Sequence, residues 1–161
     1  MSDRSSLQVR VYAVHEDEQD AVLRAFADEE LALDWGDTEE PDSATLVLGE
    51  CYGAHEMPLG SSDRLAATLQ AQAPTAVFKL WQDPHWSGAD GHLVAHVPGV
   101  GTYETGCTAE GVPHAGIAGL IKQLSALPAG TSVQDWLAGA GDQVLGVTVL
   151  TALELHEKSH R

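Results

Sequence analysis

Positive charge is what this chain has least of. Its 161 residues include only 8 Lys and Arg, three of them Lys, against 24 Asp and Glu, for a net charge of −16. Without a basic stripe there is little to neutralise phosphates, so neither direct nucleic-acid binding nor adhesion to an anionic membrane is expected. Cysteine is also scarce. Cys51 and Cys107 are too few for a disulfide framework and stand in no C-x-x-C or zinc spacing, so both read as small buried hydrophobes with inert thiols. No apolar run approaches the roughly 18 residues needed to cross a bilayer. The first residues, MSDRSSLQVR, lack the apolar centre of a secretory leader, which makes the cytoplasm the expected compartment.

What is present suffices for a core. At 43% hydrophobic and 20% charged, the chain fits a single folded domain over 1–161, with 1–5 and 157–161 expected to fray. The charge is uneven. Between Glu16 and Asp42 lie 12 carboxylates opposed only by Arg24, so this segment carries −11 of the net −16.

Leu7 to Val14 alternates, with Leu7, Val9, Val11 and Ala13 on one face and Gln8, Arg10 and Tyr12 on the other, as a half-buried strand does. Asp17 to Glu29 changes to helical spacing, with Val22, Ala25 and Phe26 on one stripe that Glu29 ends, and acidic residues crowd the first turn. Leu31–Trp35 reads as a short strand and Thr45–Tyr52 as a firm one, with Gly53–Gly60 as a loop. Ser61 or Ser62 is expected to cap a helix running to Ala73, with Leu65, Ala66 and Leu69 inward, and Pro74 ends it. Three strands follow: one over 76–81, one over 92–97, and one over 102–108 that returns through a Pro98-Gly99 turn. Ala115–Leu127 reads as a helix with Ile117, Leu120, Ile121 and Leu124 turned to the sheet. A short helix capped by Thr131 or Ser132 comes next, with Trp136 and Leu137 inward, and Gly146–His156 reads as a final strand. Short hairpin links between outer helices predict an α+β fold, a mostly antiparallel sheet with helices packed on one face. The element order invites a ferredoxin-like comparison.

Two groups of residues could carry function. The first is the acidic face, where Asp17, Glu18, Asp20, Asp28, Glu29, Glu39 and Glu40 would form an electronegative patch for a basic protein partner. On that reading the chain is a non-catalytic regulator, inhibitor, immunity protein or nucleic-acid mimic. The bland alternatives are a solvated surface and adaptation to salt. The second group is Trp81, Asp83, His85, Trp86, His92 and His96 around the central hairpins, which could line a pocket for a small ligand.

Other constellations carry less. On a strand, His92 and His96 stand roughly 13 Å apart and cannot share one ion. Cys107 with His114 or His85 lacks an oxyanion-hole signature, so no catalytic residue is assigned. PGVG lacks the lysine and the following helix of a phosphate loop. No cofactor or metal is implied, and a homodimer through an exposed sheet edge is open.

The pattern Trp81-x-Asp83-Pro84, Gly91-x-Leu93, Pro98, Gly101-x-Tyr103 and Cys107-x-Ala109-x-Gly111 covers about a fifth of the chain. It resembles a segment of short uncharacterised proteins of high-GC actinobacteria, their plasmids and phages. The resemblance implies an accessory cytoplasmic protein of a mobile element and carries no activity with it.

Overall fold

A computed structural model describes residues 3–36 and 45–160. Along the chain these form β1 (Arg4–Ala13), α1 (Gln19–Asp28, after a 3-10 turn over Glu16–Glu18), β2 (Ala32–Leu33), β3 (Tyr52–Pro58) and α2 (Ser61–Gln72). There follow β4 (Val77–Gln82), β5 (Gly91–Val97), β6 (Gly101–Cys107), β7 (Pro113–His114) and the helices α3 (Ile117–Ser125), α4 (Val133–Ala138), α5 (Ala140–Leu145) and α6 (Val147–Lys158). The strands make one sheet of seven in the order β2-β3-β1-β4-β5-β6-β7, and every neighbouring pair is antiparallel. The α+β class and the antiparallel sheet are as the sequence predicts.

The helices, however, occupy both faces of the sheet. Alternation along β1 sends Leu7, Val9 and Val11 to one side, where they meet Phe78 and Leu80 of β4 and Val94 of β5. Val22, Ala25 and Phe26 of α1 and Leu65, Ala66 and Leu69 of α2 close over them. On the other side Tyr12, Val77, Trp81, Leu93, Ala95, Val97, Tyr103 and Cys107 meet Val149 and Leu153 of α6. Residues 4–82 run β-α-β-β-α-β with each helix crossing over one intervening strand, the feature that invites a ferredoxin-like comparison. Three further strands and a helical layer on the opposite face take the whole chain beyond that comparison.

The second helical layer exists because Gly146–His156, expected as a strand, is helix α6. Its β-branched residues favour a strand, but Val149 and Leu153, one helical turn apart, bury against the sheet. The Asp142 carboxylate accepts the Thr148 N–H at 2.6 Å and so satisfies a donor of the first turn. Gly146 has φ 60° and lies against the Tyr103 ring, where no side chain fits.

The strand expected over Thr45–Tyr52 lies one element later, as β3, and takes in residues read as a loop. Gly53 misled the reading. Within β3 it leaves room for the Trp35 ring, which a Cβ would meet at 2.6 Å. The cap of α2 is Gly60 at φ 88° rather than Ser61 or Ser62, both of which are buried. α4 follows expectation, with Ser132 Oγ accepting the Asp135 N–H at 3.0 Å and Trp136 buried.

Ile117, Ile121 and Leu124 of α3 are not packed on the sheet; they are 74%, 58% and 41% exposed, and α6 covers this face instead. Residues near both described ends join the fold. Arg4 already pairs with Pro58, and His160 Nε2 lies 2.6 Å from the Tyr12 carbonyl oxygen. No helix among the described residues is long and apolar enough to cross a membrane.

Candidate functional site

The acidic residues divide into two groups. Asp17, Asp20 and Asp28 are exposed on the outer side of the 3-10 turn and α1. Glu18 instead accepts hydrogen bonds from the Thr75 hydroxyl at 2.6 Å and the Thr75 N–H at 2.9 Å, and the hydroxyl bond foremost holds its carboxyl below the usual range. Glu29 is buried and takes both Arg64 Nε and Nη2 at 2.6 Å, a bidentate pair that ties α1 to α2. Glu39 and Glu40 lie outside the described residues.

The central residues are not gathered into one pocket. Trp81 points to the α6 side, whereas His92 and His96 share the opposite side with Val94. His96 rests against Phe78 and makes a 2.7 Å hydrogen bond with Thr102 Oγ1; burial lowers its pKa. Asp83 accepts from Gln8 Nε2 at 2.9 Å, and burial raises its carboxyl pKa against that bond. His85 is buried beside Ser87, and Trp86, tilted against it, is 77% exposed. Cys107 is buried, and its thiol is pushed up to about 11 by that burial, away from any nucleophilic role at neutral pH.

A different site forms on the α6 side. The register of β1 and β4 places Gln8 opposite Trp81 and Arg10 opposite Lys79, with Tyr12 next along β1. These side chains floor a cavity of about 510 Å³ walled by Gly49, Glu110, Glu157 and His160. That volume falls within the range of small-ligand sites.

Each wall has a local cause. Arg10 Nη1 donates to the Gly49 carbonyl at 2.9 Å, holding the segment before β3 against the floor. Gly49, at φ 81°, is overlain by His160 so closely that a Cβ would meet that ring's Cβ at 2.8 Å. The Tyr12 hydroxyl donates to Glu157 Oε1 at 2.9 Å; burial first, then the charge of Glu157, raises its pKa. The Trp81 indole N–H donates to the Ala109 carbonyl at 3.0 Å, and Gly111, at φ 67°, lies on its ring where a Cβ would come within 2.7 Å. Lys79 Nζ stands 5.5 Å from the centre of the Trp81 ring, a cation–π distance, and burial lowers its pKa.

Trp81 is the only member of this cavity that sequence reasoning singled out. Arg10 and Lys79 each carry a faint signal, a cation in the alternate position of a strand. Their opposition across two strands is a fact of register, which one strand's pattern does not contain. Comparison with protein-family models, curated proteins and solved structures finds no match to this chain.

Proposed function

We propose that this protein binds a small anionic molecule carrying a flat ring, in the cavity between the sheet and α6. The observation that carries the reading is the cross-strand pair Arg10–Lys79. Like charges directly opposite one another on adjacent strands are unfavourable. Here two of only 8 basic residues are so placed, and among the described residues neither is within ion-pair distance of a carboxylate, although the charge of Glu157 in the cavity wall acts on Lys79. Both face a cavity whose floor also carries an indole. An anionic group between guanidinium and ammonium would relieve the repulsion, and a ring could lie beside Trp81. The proposal stops at binding, because the Tyr12 hydroxyl occupies Glu157 and Cys107 is buried and protonated.

The test is calorimetry and thermal shift with nucleoside monophosphates and aromatic carboxylates as probes. At least one should bind, and Lys79→Met should weaken it by about tenfold or more, the loss of one charge-assisted contact. A panel with no binder, or binding unaltered by both Lys79→Met and Arg10→Gln, overturns the reading.

A second reading rests on Asp17, Asp20 and Asp28, which are exposed along one helical edge. That edge suits a basic protein partner and a cytoplasmic accessory role. Capture from lysate of the source cell, washed at low and high salt, tests it. Charge reversal at those three positions should abolish capture of a salt-sensitive basic partner, and unchanged capture excludes this face.

A further inference from the structure

The opposite side of the sheet holds a second constellation, assembled from one helix and the two strands of a later hairpin. Asp63 in the first turn of α2, His92 of β5 and Glu104 of β6 each present a ligand atom, and these atoms lie within 4.8 Å of one another. The sheet register explains why. His92 pairs with Gly106 and Val94 with Glu104, so His92 and Glu104 are diagonal neighbours on one face of adjacent strands. The first turn of α2 then brings Asp63 Oδ1 to 3.4 Å from His92 Nδ1.

We infer that Asp63, His92 and Glu104 form a binding site for a divalent metal ion of the zinc type. Ligand atoms about 2.0–2.2 Å from one ion stand roughly 3–4 Å apart, so closing the triad takes only a small movement. Asp63 and Glu104 are exposed and free to make it. His92 Nδ1 also lies 2.9 Å from Ser62 Oγ, a hydrogen bond that coordination through this nitrogen would replace. One imidazole with two carboxylates is a ligand set that zinc accepts, and three protein ligands leave a position for water.

An independent feature of the surroundings favours a cation. Asp63 and His92 border a hollow of about 210 Å³ that also has Asp83 and Asp90 in its wall and no Lys or Arg. Arg64, the residue after Asp63, is turned away to Glu29. Among the described residues Asp90 has only His114 Nε2 at 3.8 Å and Asp83 only the Gln8 amide, so no Lys or Arg offsets the carboxylates of this hollow. His96, which the strand spacing sets too far from His92 to share an ion, bonds to Thr102 near the other end of β5.

The experiment is calorimetric titration of the full chain, free of any histidine tag, with zinc chloride alone. One zinc per chain is expected, and both His92→Ala and Glu104→Gln should weaken it at least about tenfold. His96→Gln should leave it unchanged. Glu104 is exposed, so its variant reports on the site even if His92→Ala disturbs the fold. No uptake by the unaltered chain overturns the inference, and so does uptake that both variants leave unaltered, since the zinc then sits on other histidines.

Discussion

The two faces of the sheet are made by the same strands and differ in almost everything else. Towards α1 and α2, the interlocked residues Leu7, Val9, Val11, Phe78, Leu80 and Val94 are all sealed from solvent. Towards α6, the alternate positions of β1 and β4 hold Gln8, Arg10, Tyr12, Lys79 and Trp81, and the covering helix lies mainly over β4, β5 and β6. A sealed apolar face contributes stability. The part of the other face around Arg10 and Lys79 leaves a shaped space with charges in it, while Leu93, Ala95 and Cys107 beside it are sealed under α6. Charged side chains and open space coincide where helix coverage stops.

The sharpest way to break that comparison is to damage each face in turn. Phe78 is fully buried beneath α1 and α2, so Phe78→Ala should cost about 3–5 kcal/mol in urea unfolding. A cost below about 1 kcal/mol would mean that the first face is not the stabilising one. On the other face Gly111→Ala sets a Cβ against the Trp81 ring at a positive φ, for about 1–3 kcal/mol, and should weaken binding of any cavity ligand by displacing the indole. Tryptophan fluorescence and calorimetry read both effects.

Lys79→Met should leave stability unchanged or raise it by up to about 1 kcal/mol, since it removes an ammonium whose burial outweighs the attraction of Glu157, together with a like-charge opposition to Arg10. A marked loss of stability would assign Lys79 to the core rather than to recognition. The smallest effect is a pH dependence. Burial holds the Lys79 ammonium below its ordinary pKa, so between the folded value and about 10.4 the unfolded chain binds more protons. The penalty is fully present below the folded pKa. Stability therefore gains across that window as pH rises, relative to Lys79→Met. A difference between the two proteins that stays flat as pH approaches about 10.4 would show that Lys79 is not desolvated.

How far the sequence could be read follows from what each pattern contains. β1 was legible because its apolar and polar residues alternate, β4, β5 and β6 because short runs are set off by turn residues such as Pro98-Gly99, and α1 and α2 because Val22, Phe26, Leu65 and Leu69 recur at helical spacing. α6 was not legible. GVTVLTALELH fits either period, and only burial of Val149 and Leu153 beside Tyr103 decides for a helix. α3 shows the converse. Its stripe of Ile117, Ile121 and Leu124 is a correct helical signal, yet amphipathicity names a face without naming what covers it. Of the acidic residues, the sequence marks Asp20 and Glu29 alike, whereas the fold exposes the first and ties the second to Arg64.

By itself the sequence determined the acidic balance, the α+β class, the hairpins through Pro98-Gly99 and the inward faces of β1, α1 and α2. These follow from composition and from periods of two and 3.6, which act over neighbouring residues. Tertiary structure alone decided the strand order, the second helical layer, the opposition of Arg10 to Lys79, and the meeting of Asp63, His92 and Glu104. Each of these joins residues separated by tens of positions. Such contacts are chosen by the packing of whole elements, a constraint that no local pattern encodes.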